Sequence, residues 1–254
     1  MSSPIPLRVL ILGGTGEASA LGRALAGDAR FDATISLAGR TRNPAPQPLP
    51  ARTGGFGGAA GLAAWLRAES VQALVDATHP FAAQISANAV AAAQETGVPL
   101  LVLRRPAWRP GPGDAWTLVP SMHAAAEALG AAPKRAFLTV GRKDLLPFVA
   151  APQHFYLIRS VDPPGGAVPP SAEIIAARGP FAEKDERRLL QEHRIDVVVT
   201  KNSGGAATQA KLAAARALGI AVIMVERPPA PAAESVEDVA AALAWLHAAL
   251  PRGV

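Results

Sequence analysis

The chain has 254 residues, half of them hydrophobic, with no cysteine and a formal net charge of +5, so it can bury one large core or two of ordinary size and forms no disulfide. The five histidines show no pair at metal-ligand spacing, and no segment approaches the roughly 18 uninterrupted apolar residues of a membrane helix, so we expect neither a metal site nor a membrane partner. The basic residues form no Lys/Arg-rich run, and few aromatic residues lie among them to stack on bases. Nucleic acid is therefore disfavoured as a ligand, and anionic small molecules are favoured.

Apolar strands alternate with helical patterns in the first half of the chain. The N-terminal run MSSPIPLRVLIL has no basic region before its apolar residues and no cleavage site after them, so it predicts a first strand and a cytoplasmic location. We predict strands at residues 8–12, 33–38, 72–76 and 100–103, and helices at residues 17–26, 59–68 and 82–96. This alternation favours a parallel sheet with helices on both faces, followed by a proline- and glycine-rich crossing at residues 106–120.

The second half of the chain restarts the same alternation. We predict helices at residues 122–129 and 181–193, and strands at residues 136–140, 154–160 and 173–177. Ser121 is placed to cap the first of these helices. The tetrapeptide at residues 235–238, Ser-Val-Glu-Asp, resembles a capping box and predicts a last helix that ends at Leu250.

Residues 71–108 and 195–230 form an internal repeat. Each copy contains an apolar strand, a polar loop, an alanine-rich helix, a glycine, a second buried strand and an Arg-Pro pair. The glycine-to-proline spacing is the same in both copies. The repeat predicts an α/β protein of two similar lobes, residues 1–113 and 114–254, with a cleft in which each lobe holds a different ligand.

The first strand runs into a glycine-rich turn at the start of the first helix. Glycines there let the backbone approach a pyrophosphate, and the helix N-terminus adds unpaired amides and a positive dipole end. The dinucleotide pattern is only partly met, because Ser19 takes the place of its third glycine. A tight turn without a ligand is the alternative. The predicted cofactor-binding residues in this turn are Gly13, Gly14, Thr15, Gly16 and Glu17.

The end of the second strand indicates which dinucleotide would bind. An NAD site places an acidic residue there, whereas this chain has Gly39, Arg40 and Thr41 and a further arginine. Arg40 and Thr41 can bind the 2′-phosphate of NADPH, so NADPH is preferred over NADH. Arginines that simply face solvent are the alternative.

A second glycine cluster precedes the helix predicted at residues 59–68. Its backbone, at Gly55 and Gly57, can lie flat against a cofactor ring, with Phe56 as a wall, although a flexible loop is the alternative. Polar side chains at the carboxyl ends of parallel strands are where such folds place chemistry. This rule selects Asp76, Thr78, His79, Lys201, Asn202 and Ser203. His79 and Lys201 occupy matching positions in the two copies and are the catalytic candidates, although a lone histidine is often structural.

Six motifs of the chain together resemble the precorrin-6A reductase family of cobalamin biosynthesis. They are ILGGTGEA, SLAGRT, GGFGG, DATHPFA, TVGRKDL and TKNSGG with its downstream ERP. The resemblance spans almost the whole chain. It implies two Rossmann-like lobes with the cofactor between them, and NADPH-dependent reduction of one carbon–carbon double bond in a contracted tetrapyrrole without flavin or metal. Neighbouring enzymes of the cobalamin pathway are candidate partners.

A tetrapyrrole that carries many carboxylates suits the basic residues near the strand ends. The predicted substrate-binding residues are Asp76, Arg104, Arg142, Lys143, Lys201, Asn202, Ser203 and Gly204. The proton that completes the reduction comes from His79, Lys201 or a bound water. There are two alternatives. An enzyme of the short-chain dehydrogenase type is disfavoured, because the only tyrosine is not followed by a lysine at the required spacing. The other alternative is a two-lobed NADP-binding sensor without catalysis.

Overall fold

The computed structural model describes residues 5–39 and 45–250, which divide into two units. Unit 1 comprises Met1–Pro106 and Pro228–Val254, and unit 2 comprises Ala107–Arg227. Unit 2 is therefore an insertion in the chain of unit 1. The expected division into residues 1–113 and 114–254 differs from this one, because the C-terminal strand and helix pack with the first unit.

Unit 1 contains one parallel sheet of six strands. The strands are β1 (Leu7–Leu12), β2 (Phe31–Leu37), β3 (Ala51–Thr53), β4 (Ala73–Asp76), β5 (Leu100–Leu103) and β12 (Glu234–Val236). Their order in the sheet is β12-β5-β4-β1-β2-β3. The direction of winding reverses between β1 and β4, and the carboxyl ends of strands at such a point are where α/β folds bind ligands.

Helices cover both faces of this sheet. They are α1 (Gly16–Leu25), α2 (Gly58–Ala68), α3 (Ala83–Thr96) and α8 (Val239–Ala248). Leu21 of α1 and Leu246 of α8 share one apolar core with β1, while Leu62 of α2 and Ala89 of α3 share the core on the other face. A strand buried on both faces needs a nearly continuous apolar run, and β1 reads LRVLIL with only Arg8 exposed.

Unit 2 has a parallel sheet of the same kind. Its strands are β6 (Trp116–Val119), β7 (Arg135–Thr139), β8 (Phe155–Ser160), β9 (Ala172–Ala176), β10 (Val197–Lys201) and β11 (Ala221–Val225), in the order β6-β11-β10-β7-β8-β9. Its helices are α4 (Met122–Glu127), α5 (Leu146–Val149), α6 (Glu183–Glu192) and α7 (Ala210–Leu218). The predicted class, an α/β fold with two parallel sheets flanked by helices, is confirmed.

The two sheets have the same winding order, but the strand at the equivalent edge comes from a different position along the chain. In unit 2 the edge strand beside β11 is β6, which precedes the rest of that unit in the chain. In unit 1 the equivalent edge strand beside β5 is β12, which comes after all the other strands in the chain. Residues 106–120, predicted as a crossing, therefore contain a strand of unit 2.

The predicted capping box at residues 235–238 is wrong. Ser235 lies within β12 and pairs with Val102 of β5, so its backbone is extended. The cap of the last helix is Asp238, whose side chain accepts a hydrogen bond from the Ala241 amide. No helix within residues 5–39 and 45–250 has the length and hydrophobicity that a membrane span requires.

Candidate functional site

The glycine-rich turn of unit 1 is tied to the neighbouring strand by one hydroxyl. The Thr15 hydroxyl donates to the Ala77 carbonyl at 2.7 Å and accepts from the Ala18 amide at 3.1 Å, which caps α1. Since Ala77 directly follows β4, Thr15 joins the carboxyl ends of β1 and β4. The turn is therefore fixed at the point where the winding of the sheet reverses.

The glycines of this turn have different reasons to be glycine. A Cβ at Gly13 would lie 2.8 Å from Cγ1 of Ile35, so this glycine permits close packing of the turn on β2. Gly14 has φ of +106°, a conformation that favours glycine. Nothing lies within 4 Å of a Cβ built on Gly14 or Gly16, so both glycines leave open space beside the N-terminus of α1.

The Glu17 side chain, predicted to bind the cofactor, has a protein partner. Its carboxylate lies 2.6 Å from Nη1 of Arg105, and both side chains are largely buried. Arg105 comes two residues after β5, so the pair links the first turn of α1 to the far side of the switch point. A carboxylate in the first turn also suits the helix dipole. Glu17 therefore positions the turn through an ion pair.

Arg52 of β3 organises the second glycine cluster, and the sequence did not indicate it. Its Nη1 donates to Ser36 Oγ at 2.8 Å and to the Gly54 carbonyl at 3.0 Å, and its Nη2 donates to the Gly55 carbonyl at 3.2 Å. The guanidinium also stacks 3.9 Å from the centre of the Phe56 ring. One side chain thus orders the loop that carries Gly55, Phe56 and Gly57.

The end of β2 is only partly described. Gly39 has φ of +68°, and a Cβ there would lie 3.1 Å from Thr53 Cγ2, so the backbone turns tightly beside β3. Arg40 and Thr41, predicted to bind the 2′-phosphate, lie outside the described residues. Their role stays a prediction.

A cavity of about 410 Å³ in unit 1 brings together four of the predicted site residues. Asp76, Thr78, His79 and Arg104 line it at the carboxyl ends of β4 and β5. The outer face of α3 and residues 228–232 form the remaining walls, which are mostly apolar. A few convergent polar groups in an otherwise apolar cavity are typical of a small-molecule site.

Asp76 and Arg104 form the charged part of this cavity. The Asp76 carboxylate is 2% exposed and accepts hydrogen bonds from the Thr78 amide at 3.0 Å and the Thr78 hydroxyl at 2.7 Å. Burial lowers the pKa of Arg104, and the negative charge of Asp76 opposes that shift. Nη2 of Arg104 donates to the Pro228 carbonyl at 2.9 Å. Asp76 is thus held by Thr78, while Arg104 brings a partly desolvated cation to the cavity.

His79 is oriented by the turn that begins α3. The Phe81 amide donates to its Nδ1 at 3.3 Å, so a neutral His79 ring carries its proton on Nε2. The His79 carbonyl accepts from the Ala82 amide at 2.7 Å. The first bond orients the ring and the second fixes the His79 backbone at the start of α3; the role of His79 as proton donor stays a prediction.

Lys201, at the end of β10 in unit 2, is paired with an acid that the sequence did not indicate. Its Nζ lies 2.6 Å from Asp144 Oδ2, and both side chains are mostly buried. Asp144 belongs to a single turn of 3-10 helix, Arg142–Asp144. A Cβ on Gly141 would lie 2.7 Å from the same carboxylate oxygen, so that glycine makes room for the pair.

The other basic residues of this turn differ in their surroundings. Arg142 donates from Nη1 to the Pro163 carbonyl at 3.4 Å and lies 3.9 Å from the Asp162 carboxylate. Lys143 is exposed. Arg142 and Lys143 thus lie in the same turn as Asp144, which pairs with Lys201, and their binding of substrate stays a prediction.

Asn202 is engaged by the backbone of Trp108. Its Nδ2 donates to the Trp108 carbonyl at 2.9 Å, and its Oδ1 accepts from the Trp108 amide at 2.8 Å. The Ser203 amide donates to the Lys201 carbonyl at 2.7 Å, and Gly204 is buried with φ of +65°. The Asn202 side chain therefore shapes this loop, and its predicted contact with the substrate stays a prediction.

A family model described as Precorrin-6x reductase CbiJ/CobK matches residues 8–247 of the chain. The chain belongs to this family. It is 55% identical to the precorrin-6A reductase of Rhodococcus erythropolis over 94% of this chain and 97% of that protein. A solved structure of CobK precorrin-6A reductase matches with a TM-score of 0.91 and 51% identity, over 98% of this chain and 100% of that one. The cobalt-precorrin-6A reductase of Priestia megaterium is 33% identical, over 65% of this chain and 68% of that protein.

In this member of the precorrin-6x reductase family, the two copies of the repeat are not equivalent at His79 and Lys201. Leu74 pairs with Leu100 in unit 1, and Val198 pairs with Val222 in unit 2. By this register Lys201 corresponds to Ala77, because the first copy is two residues longer between its first strand and its glycine. The expected match of His79 with Lys201 is therefore wrong.

Proposed function

We propose that this chain reduces one carbon–carbon double bond of the precorrin-6A macrocycle with NADPH, in the biosynthesis of cobalamin. Membership of the precorrin-6x reductase family supports the reductase activity. The observation that carries the proposal is the near-complete match, at 51% identity, with the structure of a precorrin-6A reductase.

The metal-free macrocycle is the substrate that we propose. Identity is 55% with a precorrin-6A reductase over nearly the whole chain, but 33% with a cobalt-precorrin-6A reductase over about two thirds of it. Comparison of turnover with the metal-free and the cobalt forms tests this choice.

Unit 1 is the part of the chain that we propose for NADPH. The residues fit a dinucleotide, because Gly14 and Gly16 leave open space beside the N-terminus of α1, where amides and the helix dipole attract a pyrophosphate. Arg52 holds the loop around Phe56 in a defined shape at the neighbouring strand ends. We assign the 2′-phosphate to Arg40 and Thr41 from the sequence. The nicotinamide supplies a hydride when the cofactor is bound.

Unit 2 is the part that we propose for the carboxylates of the macrocycle. Arg142, Lys143 and Lys201 supply three cations, of which Lys201 is already paired with Asp144. Asp144 therefore keeps the Lys201 ammonium in one place and leaves part of its charge for a substrate carboxylate. In unit 1, Arg104 brings a further cation to the cavity.

The proton of the reduction has three candidate sources. His79 carries a proton on Nε2 in its neutral form, since Nδ1 accepts from the Phe81 amide. Lys201 carries its proton on an ammonium next to Asp144. A bound water is the third source, and substitution of each side chain separates the three.

The test is a direct absorbance assay of NADPH oxidation by the purified protein. With precorrin-6A present, we expect NADPH absorbance to fall, with a much slower loss when NADH replaces NADPH. The control is the Gly16→Val variant, in which a side chain fills the open space beside α1. Binding of NADPH without its oxidation in the presence of precorrin-6A would contradict the proposed reaction.

A further inference from the structure

Unit 2 contains a buried cluster of three charged side chains that the proposed reaction does not use. Arg159 of β8 and Glu186 of α6 form a two-pronged ion pair, with Nη1 to Oε1 at 2.5 Å and Nη2 to Oε2 at 2.9 Å. Their side chains are 7% and 3% exposed. Lys211 of α7 is the third member and is 3% exposed. Three buried charges carry a desolvation cost that apolar residues at these positions would avoid.

Lys211 connects this cluster to the loop that follows β10. Its Nζ donates to the Thr208 carbonyl at 2.6 Å and lies 4.8 Å from the centre of the Trp108 ring. Burial, helped by the positive charge of Arg159 and opposed by Glu186, lowers the pKa of Lys211 to about 7. Burial of the Lys211 ammonium therefore costs free energy, and its hydrogen bond is to the loop that follows β10.

The loop at residues 202–208 has its carbonyl groups fixed by donors from separate parts of unit 2. The pairs are Arg227 Nε to Asn202 O at 2.7 Å, Trp108 Nε1 to Gly205 O at 3.1 Å, Phe181 N to Ala207 O at 3.3 Å, and Lys211 Nζ to Thr208 O at 2.6 Å. Donors from outside the loop therefore hold its backbone in one shape. This loop includes the Asn202–Gly205 part of the motif that we assign to the substrate.

We propose that Lys211 is a positioning residue, which holds the loop at residues 202–208 in the shape that receives a substrate carboxylate. This inference rests on the proposed function. Lys211 acts through the Thr208 carbonyl, and its positive charge also favours an anion bound at the loop. By linkage, a bound carboxylate and a protonated Lys211 stabilise each other.

The proposal has a defined dependence on pH. The charged groups that face Lys211 are Arg159 from β8 and Glu186 from α6, which form an ion pair with each other. As pH rises through about 7, Lys211 loses its proton, and the attraction for a substrate carboxylate weakens. We therefore expect the KM for the macrocycle to rise above neutral pH while NADPH affinity stays constant.

The test replaces Lys211 by methionine, which has similar volume and neither charge nor donor. We expect Lys211→Met to raise the KM for precorrin-6A about tenfold, the effect of losing one charge-assisted hydrogen bond, with kcat and NADPH affinity nearly unchanged. The rise of KM above neutral pH should disappear in the variant. The matched control is Arg216→Met, at the other end of α7, where the arginine is 45% exposed and pairs with Asp114.

Amide hydrogen exchange separates this inference from the proposed reaction. In Lys211→Met the amides of residues 203–208 should exchange at least about tenfold faster, since a charge-assisted bond closes the loop. That result stands even if the protein fails to reduce precorrin-6A. Unchanged exchange, or a pH profile of KM identical to the wild type, would overturn the role of Lys211. If the methionine variant does not fold, Lys211→Gln and the wild-type pH profile of KM give the same decision.

Discussion

Loss of Arg52 is the perturbation that most clearly separates an ordered cofactor loop from a flexible one. In Arg52→Ala, the loop loses hydrogen bonds at 2.8, 3.0 and 3.2 Å and the stacking of a guanidinium 3.9 Å above Phe56. Net contributions of about 1 kcal/mol for each bond and about 0.5–1 kcal/mol for a partly exposed cation–π contact are not additive. We expect a total loss of about 2–3 kcal/mol, divided between folding stability and NADPH binding.

The assay combines urea unfolding with titration of NADPH. We expect Arg52→Ala to lower the unfolding free energy by about 1–2 kcal/mol and to weaken NADPH roughly tenfold, because the loop must then be ordered on binding. Arg52→Lys should fall between the wild type and Arg52→Ala, since an ammonium cannot reproduce a planar fork. Arg67→Ala is the control, because Arg67 is in the same unit and its ion pair with Glu95 is exposed. Equal NADPH affinity in Arg52→Ala and Arg67→Ala would refute the reasoning.

Four further substitutions test the proposed site. Gly16→Val should leave unit 1 folded, because open space surrounds that Cβ, yet abolish NADPH binding by titration; normal affinity would place the cofactor elsewhere. Arg40→Ala should weaken NADPH by about 1–3 kcal/mol and spare NADH, and equal losses for both would remove the 2′-phosphate assignment. In steady-state kinetics, Lys201→Ala should raise the KM for precorrin-6A, whereas His79→Ala should lower kcat more than either affinity; the reverse pattern would exchange their roles.

The sequence predicts the central strands well because a strand buried on both faces must be apolar almost throughout. β1 and β10 are runs of this kind and were found within a few residues. The edge strands β3, β6 and β12 escaped prediction, since they have three or four residues and little burial. Their extended backbone depends on a neighbouring strand that is distant in the chain. Ser235 shows the consequence, because its pairing with β5 overrides a local capping pattern.

The sequence predicted which residues line the site better than it predicted which of them pair with each other. Polar residues at the strand ends identified Asp76, Thr78 and Arg104, which do share one cavity. The acid that pairs with Lys201 lies 57 residues away in the chain, so only the fold reveals it. Arg52 and Lys211 were missed because neither belongs to a recognised motif, and their contacts with Ser36 and with the Trp108 ring depend on the fold.

Transfer of isotope from the cofactor to the macrocycle is the most direct measurement of the central claim. NADPH deuterated at the transferable position of the nicotinamide would be incubated with the protein and precorrin-6A, and the product examined by mass spectrometry and NMR. Hydride transfer by this chain predicts a reduced macrocycle that carries one deuteron on a ring carbon, formed in step with NADP. Oxidation of NADPH that leaves the macrocycle unreduced, or a reduced product without deuterium, would contradict the account.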